Sequence, residues 1–223
     1  MNRLTGKTAL VTGGGQGVGH CPGVVRRGRA GGRRRTHTGP LDQAQAIEQC
    51  VAQVLEAFGT IDILVNNAQI VPLDRLLEVS DEAFAQGMDS GPLATLRLMR
   101  ACHPYLRGGG VVVNLASSAA VRWDACGYGA YAAAKEAIRC LSRAAACEWG
   151  PDGIRVNVIA PHALSPELEG WMQAHPQEAE AFLQGIPHCE NDIGRTVAWL
   201  ASDEAGYLTG ATLPLDGGQA FWG

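Results

Sequence analysis

Short, wholly apolar runs alternate along this chain with longer stretches whose apolar residues recur every three or four positions. Thr8-Ala9-Leu10-Val11 is one such run, and it stops at Thr12-Gly13-Gly14-Gly15; this predicts a buried strand ended by glycines. Residues 41–58 bring Ala44, Ile47, Val51, Val54, Leu55 and Phe58 to one side, the pattern of an amphipathic helix, with Gly59 as its cap. Ile61–Val65, Val111–Leu115 and Ile154–Ile159 read as further strands, running into Asn66-Asn67-Ala68, Ala116-Ser117-Ser118 and Pro161. Helices are expected over about 92–103 (Leu93, Leu96, Met99, Cys102) and 129–149 (Ile138, Leu141, Ala145, Trp149), then at 176–184 and 191–201. Ala211–Leu215 is the last strand.

Strands that are continuous apolar runs, alternating with helices, predict a parallel sheet covered on both faces. No repeat and no linker interrupts the pattern, so residues 1–223 are expected to form one α/β domain, with substrate-side helices over 161–190. One segment breaks the alternation. Residues 20–40, HCPGVVRRGRAGGRRRTHTGP, hold six arginines and only Val24 and Val25 as large aliphatics. Pro22 would cost a helix there about 3 kcal/mol. The segment lacks an apolar stripe and is expected to be an irregular loop.

Composition narrows the function classes. With 46% apolar and 18% charged residues the chain is ordinary globular protein, which excludes wholesale disorder. A net charge of −4 gives no reason to expect nucleic acid or an acidic membrane as partner. Six of the chain's 16 arginines lie in 26–35, so the rest is distinctly acidic. Seven cysteines, an odd number with no CxxC pair, read as reduced thiols, and no metal site is expected. No apolar run approaches the ~18 residues of a membrane span. No signal-peptide core is visible at the N-terminus, so a cytoplasmic location is expected.

Three groups of residues carry chemistry. Gly13-x3-Gly17-x-Gly19 follows the first strand; side-chain-free backbone there can approach a pyrophosphate at a helix N-terminus. Such a turn is equally often a flexible strand-to-helix connection. Tyr131 and Lys135 are four apart on the long helix, hence on one face. A free phenol titrates near ~10; an ammonium beside it stabilises the phenolate and draws proton exchange toward neutrality. Taken alone, a Tyr and a Lys at this spacing are more often surface decoration. Ser117 and Ser118 end a strand at the edge where open α/β sheets bind ligands, though either could simply cap a helix.

In this order the motifs resemble the short-chain dehydrogenases/reductases, over Leu4–Gly19 and about Asp42 to Gly218. The resemblance is carried by Thr12-Gly13-x3-Gly17-x-Gly19, Asn66-Asn67-Ala68, Ser118 thirteen residues before Tyr131, Tyr131-x3-Lys135, Arg155-Val156-Asn157 before Pro161, and Leu208-Thr209-Gly210 before Asp216-Gly217-Gly218. It implies a Rossmann-like doubly wound sheet and an NAD(P)(H)-dependent oxidoreductase interconverting a carbonyl and a secondary alcohol by hydride transfer, with a small-molecule substrate. Tyr131 would be the general acid/base, Lys135 its partner and a ribose ligand, and Ser118 the hydroxyl that orients the carbonyl. Gly13, Gln16, Gly17, Val18, Gly19, Asn67, Ala68 and Pro161, with Tyr131 and Lys135, would hold NAD or NADP. A homodimer or homotetramer would form through 92–106 and 129–149.

Departures from the family pattern bear on the same site. Gly91 stands where the family has an Asn that holds water in a proton relay. Gln69 stands where it has Gly after Asn-Asn-Ala, and His162 where Gly usually follows Pro161. A lone histidine is more often a solvated or satisfied polar residue, so His162 is given no role. A smaller shortening lies near Ile186–Glu190. About 21 residues at 20–40 cannot hold two strands with helical crossovers, so one or two strands on the adenine side are expected to be missing and the first strand to lie at a bare edge. The arginines could be offered as a site for the 2′-phosphate of NADP; a solvated basic loop is the plainer reading. The alternative for the whole chain is a degenerate relative with impaired cofactor binding, acting as a binding or oligomerisation module.

Overall fold

A computed structural model describes residues 4–13, 24–26, 33–34, 44–122, 127–162, 170, 172–173, 176, 179 and 192–222. In chain order its principal elements are β1 (Thr8–Val11), β2 (Val24–Arg26), β3 (Arg33–Arg34), α1 (Ala44–Phe58), β4 (Ile63–Asn66), α2 (Asp81–Met88), α3 (Ala94–Leu106), β5 (Val111–Leu115), α4 (Gly129–Trp149), β6 (Arg155–Pro161), α5 (Asp192–Leu200) and β7 (Thr212–Leu215). The strand order is β3-β2-β1-β4-β5-β6-β7. From β1 through β7 the pairs are parallel, with Leu10 beside Leu64, Val112 beside Val156 and Ile159 beside Leu213. This is the predicted doubly wound sheet.

Alternation along each strand sends side chains to two separate cores. On one face Leu64, Val112 and Val156 pack with Ile47, Val51 and Val54 of α1, Leu98, Met99 and Cys102 of α3, and Ala145 and Ala146 of α4. On the other, Ile63, Val65, Val113 and Ile159 meet Leu200 and Ala201 at the end of α5. Gly59 ends α1 as predicted, with a φ of +78° and its N–H on the carbonyl of Leu55.

The arginine segment departs from expectation. Val24–Arg26 pairs antiparallel with β1, Ala9 opposite Val25, and Arg33–Arg34 pairs antiparallel with it in turn. The edge of β1 is therefore not bare, and the described parts of 20–40 are strands rather than loop. The reason is chain length: parallel neighbours need a crossover of a dozen or more residues, whereas an antiparallel ribbon closes through a short turn. Two β-branched residues at Val24 and Val25 suit that role.

The helix before β5 is longer than its apolar pattern predicts. It begins at Asp81, where Ser80 caps it by accepting a hydrogen bond from the Ala83 N–H at 3.1 Å. Pro92, which has no N–H, sits inside the run, and the chain passes it in a π turn over Asp89–Leu93. There the N–H of Ala94 reaches back five residues to the carbonyl of Asp89, one way a helix absorbs a proline. The predicted helix at 176–184 and the shortening near 186–190 lie almost wholly outside the described residues.

Two of the sequence motifs prove to be joints of the sheet. Asn157 Nδ2 donates to the carbonyl of Leu208 at 2.8 Å and its Oδ1 accepts from Ala211 N at 3.1 Å. Arg155 adds bonds to the carbonyls of Leu208 and Ser202. Together they fasten β6 to the loop that leads into β7.

Candidate active site

Because β1, β4, β5 and β6 are parallel, the segments that follow them collect at one edge of the sheet, the edge where such folds bind ligands. Thr12 and Gly13 follow β1, Asn67 and Ala68 follow β4, Ser117 and Ser118 follow β5, and Pro161 with His162 closes β6.

Thr12 ties the first two of these together. Its Oγ1 accepts from the N–H of Asn67 at 3.0 Å and of Ala68 at 3.1 Å, and its carbonyl accepts from Asn67 Nδ2 at 3.1 Å. Gly13 lies directly against this joint with a φ of +66°; a Cβ on it would fall 2.7 Å from the Ala68 Cα. Only glycine lets the two backbones meet here. Asn67 thus has its amide nitrogen engaged in holding the turn. Gln16, Gly17, Val18 and Gly19 lie outside the described residues.

The long helix α4 carries Tyr131 and Lys135 at this edge. Lys135 is buried, donates to the carbonyl of Leu115 at 2.7 Å and places Nζ 5.4 Å from the centre of the Tyr131 ring. Burial alone drives its ammonium down to about 7. Tyr131 is pushed up to about 12, again chiefly by burial; a hydrogen bond from Ser117 pulls it back and Tyr128 pushes it further. Each charged form is penalised when it stands alone, so a phenolate on Tyr131 is best tolerated while Lys135 keeps its proton.

The two serines divide their work in a way the sequence does not show. Ser118 is buried, and its Oγ lies 3.2 Å from Nδ1 of His162, itself 5% exposed. Ser117 caps the turn after β5 by accepting from the N–H of Ala119 at 3.2 Å, and its side chain bonds Tyr131. His162, expected to have no role, is instead buried against Ser118 at this edge. The available signal was its place directly after Pro161, where the family pattern has glycine.

Gln69 and Gly91 also meet. A Cβ on Gly91, in the π turn, would lie 2.7 Å from the Cδ and Nε2 of Gln69. The loop carrying Gln69 is pinned to this turn: Ile70 N–H donates to Ser90 Oγ at 3.1 Å, and Ser90 Oγ donates to the Gln86 carbonyl at 2.7 Å.

A family profile described as enoyl-(acyl carrier protein) reductase matches residues 28–220. A 12α-hydroxysteroid dehydrogenase from a Clostridium species is 41% identical over 191 residues, covering 81% of this chain and 72% of that protein. A solved short-chain dehydrogenase from Burkholderia cenocepacia in complex with NADP superposes with a TM-score of 0.82 at 26% identity, covering 97% of this chain and 99% of that one. A solved 7α-hydroxysteroid dehydrogenase holding NADH and 7-oxo glycochenodeoxycholic acid has a TM-score of 0.75 at 27% identity, covering 81% of this chain and 72% of that one.

Proposed function

This chain belongs to the short-chain dehydrogenase/reductase family, and from that premise we propose that it interconverts a secondary alcohol and a ketone with Tyr131 as general acid/base. It is an NAD(P)-dependent oxidoreductase acting on a small molecule. The observation that carries the finer reading is the buried Lys135 ammonium beneath the Tyr131 ring at the carboxyl edge of the sheet.

The residues present fit the nicotinamide end of a dinucleotide. Lys135 has three donor hydrogens, of which the Leu115 carbonyl takes one, and the phenol lies beside it, a donor set suited to ribose hydroxyls. Gly13, Gln16, Gly17, Val18, Gly19, Asn67, Ala68 and Pro161 would hold the rest with Tyr131 and Lys135. The nicotinamide, when bound, supplies or accepts the hydride, two electrons with one hydrogen. In alcohol oxidation the Tyr131 phenolate takes the hydroxyl proton as the adjacent C–H bond breaks and the C=O bond forms; ketone reduction returns that proton from the phenol. Lys135 holds the phenolate within reach of neutral pH. Ser118 orients the substrate oxygen, and Ser117 steadies the phenol.

The full chain, 1–223, acts as one dinucleotide-binding domain in this reading, cytoplasmic, and assembled as a homodimer or homotetramer through 92–106 and 129–149. Cyclic secondary alcohols come first as substrates, because two similar proteins are hydroxysteroid dehydrogenases.

The test is titration of NADH and NADPH followed by fluorescence, then turnover across a panel of ketones and alcohols that includes 12α-hydroxysteroids. Saturable binding, with turnover lowered about 10²–10⁴-fold by Tyr131→Phe, supports the reading. Absence of both cofactor binding and turnover overturns it in favour of a binding module.

A further inference from the structure

Pro161 pairs with Leu215 at the end of β6, and the next N–H, that of His162, donates to the Leu215 carbonyl at 3.0 Å. The backbone of His162 is thus fastened to the sheet. Its ring reaches toward the segment after β5, where Nδ1 lies 3.2 Å from the Oγ of Ser118. Both residues are buried, His162 to 5% and Ser118 to 2% of full exposure. A ring held through backbone and side chain at once cannot swing aside without breaking a buried polar contact, which is unfavourable. The family pattern has glycine at this position, so an imidazole stands here where that pattern has a single hydrogen.

Ser118 follows β5, which has β4 on one side and β6 on the other. The imidazole therefore stands on the β6 side of the Ser118 hydroxyl. A substrate oxygen that accepts from this hydroxyl lies about 2.8 Å from Oγ and, with tetrahedral directions there, about 5 Å from Nδ1. At that range a carbon flanking the carbonyl on the β6 side comes within van der Waals reach of the ring. A branch on that carbon would run into a side chain that does not yield.

We propose that His162 decides which way round an unsymmetrical ketone binds: the slim arm, a methylene or methyl, lies toward β6 beside the imidazole, and the branched arm lies away from it. This rests on the reading of Ser118 as the hydroxyl that holds the substrate oxygen and of Tyr131 as its proton donor. With that oxygen fixed, exchanging the two arms turns the opposite face of the carbonyl to the incoming hydride. The arm that fits beside His162 therefore sets the handedness of the alcohol. The substrate class follows: secondary alcohols with at least one unbranched carbon beside the carbinol carbon, as a ring methylene provides. His162 is a specificity-determining residue and takes no proton.

Chiral analysis of the product from 2,2-dimethylcyclohexanone, which has one methylene arm and one quaternary arm, tests it with NADH or NADPH as reductant. Wild type should form one enantiomer of the alcohol over the other by at least about tenfold, the scale of one misplaced methyl group in a fitted pocket. His162→Gly, which restores the glycine of the family pattern, should bring that ratio close to unity. His162→Leu keeps comparable bulk without a bond to Ser118; it should hold the ratio while kcat/KM falls. Were His162 merely structural, His162→Gly would slow both enantiomers alike and leave the ratio unchanged, and that result would overturn the proposal. Equal amounts of the two enantiomers from wild type, a measurement that needs no variant, would overturn it too. So would turnover of cyclohexanone with none of its dimethyl derivative, because the slim arm should suffice. Absence of turnover on every ketone and alcohol would overturn the proposal together with the catalytic reading, whereas a racemic product would overturn the proposal alone.

Discussion

The Oγ of Ser118 lies 3.2 Å from Nδ1 of His162, with both residues buried at the carboxyl edge of the sheet. A hydroxyl that rotates freely offers its hydrogen bond in many directions; one held by an imidazole offers it in few. His162→Ala should therefore lower kcat/KM in the Ser118 protein and change little in the Ser118→Ala background. Measuring kcat/KM for the four proteins of that cycle checks it, and additive losses would mean the two act separately. The buried partner left behind should also cost about 1–3 kcal/mol of stability.

Lys135 makes a prediction about stability that needs no cofactor. Its folded pKa is about 7 against 10.5 for an ordinary lysine, because burial penalises the ammonium. Below pH 7 both folded and unfolded chains carry the charge, and the folded chain bears the full cost of burying it. Between 7 and 10.5 only the unfolded chain stays protonated, so stability attributable to this group rises with pH. Above 10.5 neither carries it. Lys135→Met should therefore stabilise the cofactor-free protein by a few kcal/mol at pH 6, the scale set by a fall from 10.5 to about 7, and the gain should vanish toward pH 10.5. Urea unfolding of both proteins across that range is the check. A gain that stays constant or grows with pH would show that desolvation of the ammonium is not its source.

Ser117 makes a separate kinetic prediction. Its hydrogen bond lowers the pKa of Tyr131 against the upward push of burial. Ser117→Ala removes that help and should move the rising limb of the alcohol-oxidation profile to higher pH, since oxidation needs the phenolate. Tyr131→Phe, which removes the proposed acid/base altogether, should lower kcat by about 10²–10⁴ and leave NADH binding measurable. Rates of oxidation against pH separate the two variants.

The sequence made most of this sheet legible, and the places where it did not have physical causes. Apolar runs such as Val111–Leu115 are buried throughout, so pattern and burial agree. Helix α2 leaves no mark in the apolar pattern because its exposed face carries Phe84 while only Gly87 is buried; it lacks an apolar stripe, and its one signal is the Ser80 cap followed by Asp81 and Glu82. The ribbon at Val24–Arg26 is hidden in the sequence because six arginines suggest solvent, and composition is blind to the ease of antiparallel closure. At the site, a spacing of four puts Tyr131 and Lys135 on one face of α4, and only the order of the surrounding motifs singles the pair out. The contacts of Ser118 with His162 and of Gln69 with Gly91 join residues 44 and 22 positions apart. No local pattern encodes such pairs.

Gly13 and Gly6 provide a matched pair for the turn that should receive the cofactor. Both have left-handed backbone, with φ of +66° and +82°, so an alanine at either stores strain of roughly 1–2 kcal/mol. At Gly6 nothing lies within 4 Å of the added Cβ, whereas at Gly13 it falls 2.7 Å from Ala68 Cα and 2.9 Å from both Ala68 N and Asn67 Nδ2. Neither backbone neighbour can rotate away as a side chain would, so Gly13→Ala must push apart β1 and the segment after β4 and loosen the bonds from Asn67 and Ala68 to Thr12. Gly6→Ala should lower Tm modestly and leave NADH and NADPH affinity unchanged. Gly13→Ala should lower Tm further and weaken both cofactors by at least about tenfold, the loss of a well-made contact worth about 1.4 kcal/mol. Fluorescence titration and melting of the two variants side by side decide it. Equal cofactor affinity in both would show that the Gly13–Ala68 contact serves folding alone.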